Sequence, residues 1–246
     1  MLAIYKKELR SYFLNAIGYV YLGVFLSAAA LISGITTLMQ QSYNTASYFT
    51  TLIYTFIILI PLLTMRLFSE EKKLRTEQLL LTAPVSIPAM IMGKYLAAMT
   101  LFGGSLLVSL INLFPLYSYS AAEATSDAIS HVGPLTAQIA GCFIGVLFIG
   151  AAFVAIGMFI SSLTENQLAA AVSTIAVIVV MLVLEMANSY IDSYTVRSII
   201  SWICIISRFS NFAAGLLDFA SILYYASLAA IFLLLTGRVY ERRRWA

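Results

Sequence analysis

Apolar stretches of about 20 residues recur six times along this chain, and they limit what it can fold into more than any other feature. They cover 16–39, 49–67, 90–117, 135–161, 168–187 and 219–237. A helix rises 1.5 Å per residue, so about 20 residues cross the roughly 30 Å of a bilayer's hydrocarbon. Polar and apolar residues do not alternate within the stretches, as they would in the strands of an outer-membrane barrel. Helices satisfy every backbone group internally and are the remaining way through lipid. Only 10% of the 246 residues are charged, against about 25% in soluble domains, too few to coat a water-facing surface. The sequence predicts an all-α, polytopic membrane protein: one transmembrane domain over 1–246 with about six spanning helices.

Residues 1–15 set Lys6, Lys7, Glu8 and Arg10 against Leu2, Ile4, Leu9 and Phe13. That mixture suits an amphipathic helix lying at the membrane surface. A cleavable leader is the competing reading, with Ala28, Ala29 and Ala30 as a cleavage-like site. The apolar stretch runs on through Ile35 and Leu38, which favours an anchor.

Charge then sets orientation. Twelve of the 14 basic residues fall before the first span, around the loop between the second and third, or after the sixth. With six spans these regions share one side, and the positive-inside rule makes it the cytoplasm, both termini included. The opposite loop, 118–134, carries Glu123 and Asp127 with no lysine or arginine. Arg197 and Arg208 are the exceptions, in an outer segment at 188–218 whose apolar pieces are too short to span. Such pieces suit short re-entrant or surface helices. A seventh span here would move the arginines at 242–244 outside, against the charge bias. Tyr12, Tyr117 and Trp245 lie near span ends, as interfacial anchors do. The net charge of +3 therefore concerns topology, and no nucleic-acid partner is expected. Cys142 and Cys204 lack CxxC spacing and read as buried packing thiols.

The most informative segment is 67–94. Ser69-Glu70-Glu71-Lys72-Lys73-Leu74-Arg75 leaves the second span. Thr76-Glu77-Gln78-Leu79-Leu80-Leu81-Thr82-Ala83-Pro84-Val85-Ser86 follows. Leu74 and Leu79–Leu81 give a short helix an apolar side, Pro84 ends it, and Pro88 restricts the backbone entering the third span. The product is a compact surface-lying helix at 69–88 between two spanning ones.

This run resembles type-2 ABC transporter permeases, in which an acidic pair often precedes a Thr-x-x-Leu-Leu-Leu-Thr-x-Pro-x-Ser-like stretch. The glycine that commonly precedes the threonine is Arg75 here. Ser161-Ser162-Leu163-Thr164-Glu165-Asn166-Gln167 resembles the family's short second cytoplasmic loop. The last third is similar to its gliding-motility subgroup, from Arg208-Phe209-Ser210-Asn211-Phe212 through Tyr224-Tyr225 to Arg242-Arg243-Arg244-Trp245. The resemblance covers essentially the whole chain.

The resemblance implies a permease subunit with no ATPase of its own, moving substrate by alternating access as an exporter in the bacterial inner membrane. It implies a separate ABC ATPase subunit, on which ATP and Mg²⁺ sit, and a second permease copy or paralogue. No cofactor is expected on this chain. Residues 70–82 would form a coupling helix docking into the ATPase. Glu70, Glu71, Lys72, Arg75 and Glu77 would supply a charged rim, Leu79, Leu80 and Leu81 the apolar contact or the membrane-facing side, and Thr76 and Thr82 would belong to the same coupling segment. Thr164, Glu165 and Asn166 would add the second loop. In the resembling exporters the second and fifth spans line the cavity, which makes Thr51, Tyr54, Thr55, Thr174, Met181 and Glu185 cavity candidates. Packing against lipid or neighbouring helices is the competing reading for each.

Other chemistries fit poorly. No GxxxxGK[ST] occurs: Gly93-Lys94 is followed by Tyr95 and lacks the upstream glycine, so the chain carries no P-loop of its own. Glu70-Glu71-Lys72-Lys73-Leu74-Arg75 matches the EExxxR of CAAX-type intramembrane proteases. General-base chemistry there needs histidines within reach, and the single histidine, His131, falls in the outer loop. No GxSxG elbow and no set of metal ligands is present. An ATP-independent scaffold or channel is the remaining class, although an ion pathway would carry more charged and amide groups within its spans. Glu185 sits about a turn from the outer end of its span, where an outer-loop partner such as Arg197 could reach it. Thr174, Ile178, Met181 and Glu185 fall on one helix face. Gly141-Cys142-Phe143-Ile144-Gly145 is a GxxxG, read as close packing within the chain.

Overall fold

The computed structural model of the protein describes residues 1–39, 45–73, 75, 86–117, 136–188 and 204–245. The helices are α1 (Leu2–Leu14), α2 (Ala16–Ser33), α3 (Thr45–Thr64), α4 (Ser69–Lys73), α5 (Ile87–Ser109), α6 (Thr136–Leu163), α7 (Gln167–Asn188), α8 (Phe209–Ala213) and α9 (Phe219–Trp245). A π-helical turn, Gly34–Met39, extends α2, and a 3₁₀ turn, Leu110–Leu113, extends α5. Six of these elements are long and apolar enough to cross a membrane: Ala16–Met39, Thr45–Lys73, Ile87–Tyr117, Thr136–Leu163, Gln167–Asn188 and Phe219–Arg244. They correspond one to one with the six stretches read from the sequence.

The boundary differences have physical causes. The last helix runs past Gly237 to Trp245, because Arg238 and Glu241–Arg244 are good helix formers that keep their charges in water. Pro88 stands in the first turn of α5, where its missing N–H takes no bond from the helix. Of the surface helix expected at 69–88, residues 74 and 76–85 lie outside the described residues, as does His131. So do Arg197 and the outer segment from 189 to 203.

Helix α6 is the axis of the bundle. It packs against α3, α5, α7, α8 and α9, and most of its apolar length is buried. Phe102 of α5 fills the centre, edge-on to Phe56 of α3 and Phe25 of α2, with ring centroids 5.3 and 6.4 Å away. Helices α7 and α9 lie at the periphery, each with most of its apolar length exposed or only partly buried.

Close approach to α6 depends on its glycines. A Cβ on Gly157 would lie 2.4 Å from Thr64 Oγ1 of α3. On Gly141 and Gly145 it would lie 2.9 Å from the Phe212 carbonyl oxygen and the Phe212 ring. The GxxxG thus seats the five-residue helix α8, whose Phe209 and Phe212 are buried, so the motif serves packing within the chain.

Candidate functional site

The described basic residues other than Arg208 collect at one end of the bundle, where α1, the α3–α4 turn, the start of α5 and the ends of α6 and α9 meet. Helix α3 ends near Pro61 and Thr64, and the chain turns through 65–68 into α4. That turn leaves backbone groups without helical partners, and side chains from other helices supply them. The N–H of Leu67 turns to the Thr64 carbonyl, 3.1 Å away, and the Leu63 carbonyl instead accepts the Tyr12 hydroxyl of α1 at 3.0 Å. Burial pushes the Tyr12 hydroxyl pKa upward, with Glu8 adding to the shift, so it remains a donor.

Helix α4 is capped from α6. Ser161 Oγ accepts the N–H groups of Phe68 at 3.2 Å and Ser69 at 3.3 Å, and donates to the Met65 carbonyl at 3.3 Å. Lys72 Nζ donates to the Ser162 carbonyl, binding the last turn of α4 to the same place. With Glu70 and Glu71 first and Lys72 and Lys73 last, the charges of α4 oppose its dipole at each end. Glu70 receives the Arg66 guanidinium in a two-pronged pair, Nε to Oε2 at 2.7 Å and Nη2 to Oε1.

Lys94 of α5 stands at the centre, with its side chain 1% exposed. Its ammonium donates to Glu8 Oε1 at 3.1 Å, Glu71 Oε1 at 2.8 Å and the Leu67 carbonyl at 2.8 Å. It also lies 5.1 Å from the centroid of the Phe68 ring, which in turn packs on Tyr240 of α9 at 4.8 Å. A buried cation persists only when paired and fully hydrogen-bonded, and three donors here meet three acceptors. Lys7 completes the cluster, 3.5 Å from Glu8 and 3.4 Å from Glu71. Burial alone would lower the Lys7 pKa, but the two carboxylates outweigh it and hold the pKa above its ordinary value. One lysine, Lys94, therefore ties α1, the 65–68 turn, α4 and α5 together.

Several residues proposed from the sequence meet at this end. Glu70, Glu71 and Lys72 are partly buried with partners inside the chain, whereas Lys73 and Arg75 are exposed. Arg75 adopts φ +54°, the left-handed conformation that glycine takes at helix ends without cost. In the second loop, Asn166 caps α7 by accepting the Leu168 N–H at 3.0 Å. Thr164 Oγ1 donates to the Ile160 carbonyl at 3.2 Å, and Glu165 is exposed. Thr76, Glu77, Leu79, Leu80, Leu81 and Thr82 lie outside the described residues.

The cavity candidates lie on α3 and α7, which pack together. Thr174 is buried and its hydroxyl donates to the Ala170 carbonyl at 2.7 Å. Thr55 does the same toward Leu52 at 2.7 Å. The inward stripe of α7 is Ala170, Thr174, Ile178 and Leu182, with Met181 and Glu185 half-buried beside it and Thr51 half-buried on α3. Tyr54 is exposed. At the opposite end from Lys94, Glu185 Oε2 accepts the Ile206 N–H at 3.1 Å. Tyr225 donates to the adjacent Ile205 carbonyl at 2.6 Å, so α7 and α9 together hold the segment that leads into α8.

Sequence reasoning misses the roles of Lys94 and Ser161. Lys94 reads as one more basic flank, although a lysine two turns inside an apolar helix calls for an acidic partner. Gly93 beside it has its own role: a Cβ there would meet Ile4 Cγ2 at 3.2 Å and the Met1 carbonyl oxygen at 3.3 Å, so glycine lets α1 lie on α5. The Gly93-Lys94 pair is thus the seat and the fastening of α1.

No curated protein matches the chain. The model of the family described as ABC-2 family transporter protein matches residues 4–240, nearly the full length, and so takes in both the Lys94 cluster and the six spans. The chain belongs to this family, and it is the multi-pass membrane permease of an ABC transporter.

Proposed function

We propose that this permease is the membrane half of an exporter whose motor is a separate ABC ATPase docking at the Lys94 end of the bundle. That end would face the cytoplasm of a bacterial cell, with both chain termini, since the basic residues gather there. ATP and Mg²⁺ would be held by the partner. Residues 70–82 and 164–166 would form the docking surface, with the exposed Lys73, Arg75 and Glu165 as its charged part.

The observation that carries this reading is the number of fixed links on so short a helix. Helix α4 is bound to α5 through Lys94, to α6 through Ser161 and Ser162, and to α1 through Glu8 by way of Lys94. A push on α4 would therefore reach three other helices without passing through a soft joint. Alternating access follows if the closed ATPase pair stabilises one arrangement of the spans over the other, since only differential binding shifts such an equilibrium. A second permease copy or paralogue would complete the path. The poorly buried α7, with Leu168, Val172, Val180, Val183 and Met186 exposed, offers an apolar face for it.

Affinity purification of the tagged chain from its native membranes tests this. A P-loop ATPase is expected to co-purify, and Leu80→Asp or Glu77→Lys to abolish its recovery while membrane insertion is unchanged. Purification without any such subunit, or equal recovery with both variants, would overturn the docking surface.

A further inference from the structure

A fissure of about 600 Å³ opens on the side of the bundle between α5, α6 and α9. Its volume is that of an ordinary small-molecule pocket, about 300–1,000 Å³. We propose that it binds one acyl chain of an anionic phospholipid from the leaflet at the Lys94 end, with Arg238 taking the headgroup phosphate. This site is independent of the docking surface and of the direction of transport.

Length supports a lipid chain. Along α9 the apolar lining runs from Ala226 to Gly237, about 16 Å of helix at 1.5 Å per residue, with Arg238 and Glu241 beyond it at the mouth. One leaflet's hydrocarbon is half of roughly 30 Å. The groove therefore matches one chain of one leaflet, measured from the headgroup level inward.

The walls have the right chemistry at both ends. Deep in the fissure lie Phe148, Ala151 and the alanines of α9. The Tyr95 hydroxyl is already committed to the Ala151 carbonyl at 3.1 Å, so it presents no unmet polar group to an alkyl chain. Toward the mouth, a Cβ on Gly237 would touch only Ile91 Cδ1, at 3.7 Å, which leaves the entrance wide. Arg238 stands at that mouth with its side chain 81% exposed, 3.1 Å from Glu241. An exposed pair of this kind is weak, and a phosphate offers the same guanidinium a two-pronged charged partner. Arg242, one turn further along and exposed, leaves the rim cationic after Glu241 is counted. A choline headgroup would bring its own cation to that rim, so the site selects lipids whose headgroup is net negative.

Native mass spectrometry of the full chain in detergent, with dioleoyl phosphatidylglycerol or dioleoyl phosphatidylcholine added, tests the site. One phosphatidylglycerol per chain is expected to bind about fivefold more tightly than phosphatidylcholine, the effect of one unit of headgroup charge beside a cationic rim. Arg238→Gln should erase the preference and Arg238→Lys keep it. Ala230→Phe should reduce retention of both lipids, while Ile231→Phe, on an exposed position outside the lining, should change neither. Gel filtration identifies any variant that fails to fold; Arg238→Gln alters an exposed position and decides the matter if Ala230→Phe is lost. Equal binding of the two lipids, a preference that survives in Arg238→Gln, or displacement by soluble glycerol 3-phosphate as effective as by the lipid would overturn the proposal.

Discussion

The Lys94 ammonium lies 2.8 Å from Glu71 Oε1, and this contact joins a spanning helix to the five-residue helix that follows another. Both groups are shielded from water, with 1% and 13% of their side chains exposed. Removing one member of a buried pair leaves a stranded charge, at a cost of about 3–5 kcal/mol. Lys94→Met takes the buried cation from Glu8 and Glu71, leaving the exposed Lys7 beside both, and is expected to lower the melting temperature in detergent. Adding Glu71→Gln to Lys94→Met should restore part of the loss. A double variant that melts no higher than Lys94→Met would mean that the two residues act separately.

Helices α3 and α6 touch where Gly157 meets Thr64. Gly157→Ala would put a methyl group 2.4 Å from Thr64 Oγ1, an overpacking that costs about 1–3 kcal/mol. Thr64→Ala in the same chain removes that oxygen and is expected to recover part of the melting temperature. The comparison of single and double variants by thermal unfolding checks this.

Arg75 holds a left-handed backbone that glycine adopts freely. Arg75→Gly is expected to leave α4 as well ordered as before, whereas a β-branched residue suffers most there. Left-handed geometry costs an L-residue about 1–2 kcal/mol, so Arg75→Val should speed hydrogen exchange of the α4 amides about tenfold relative to Arg75→Gly. Equal exchange in the two variants would contradict the strain.

How much of this was legible in the sequence depends on what each feature needs. The six spans follow from the length and continuity of apolar runs, which the bilayer reads directly, so Ala16 and Phe219 begin their helices where the apolar runs begin. The fastening of α1 was not legible. Lys94 finds Glu8 from 86 residues away, and charge alone does not say which carboxylate a lysine will meet. Ser161 likewise closes an apolar run without signalling that its hydroxyl caps α4. Glu185 lies near the end of its helix away from Lys94, and its described partner is the Ile206 N–H, a backbone group that no side-chain pattern announces.

Asp218 gives a pH dependence of known sign. Its carboxylate accepts Ser221 Oγ at 2.6 Å, Asn211 Nδ2 at 3.1 Å and the Ala220 N–H at 3.0 Å. The Ser221 and Asn211 bonds hold its pKa below the ordinary 3.8. A lowered pKa stabilises the fold above the unfolded value, and that stability is lost as pH falls through the folded value. Thermal unfolding from pH 6 down to about 3 should therefore show an acid loss that Asp218→Asn reduces. An identical acid profile in the variant would remove Asp218 from the account.

The claim that α4 receives force from a partner requires this end of the molecule to face the compartment that holds the motor. Arg75→Cys, in a chain with Cys142 and Cys204 replaced by alanine, places one thiol on the exposed end of α4. In intact cells a membrane-impermeant maleimide is expected to leave that thiol unlabelled. In inverted membrane vesicles the same reagent should label it, and added ATPase subunit should slow that labelling. Labelling of the Arg75→Cys variant in intact cells would put α4 on the outer face and contradict the account.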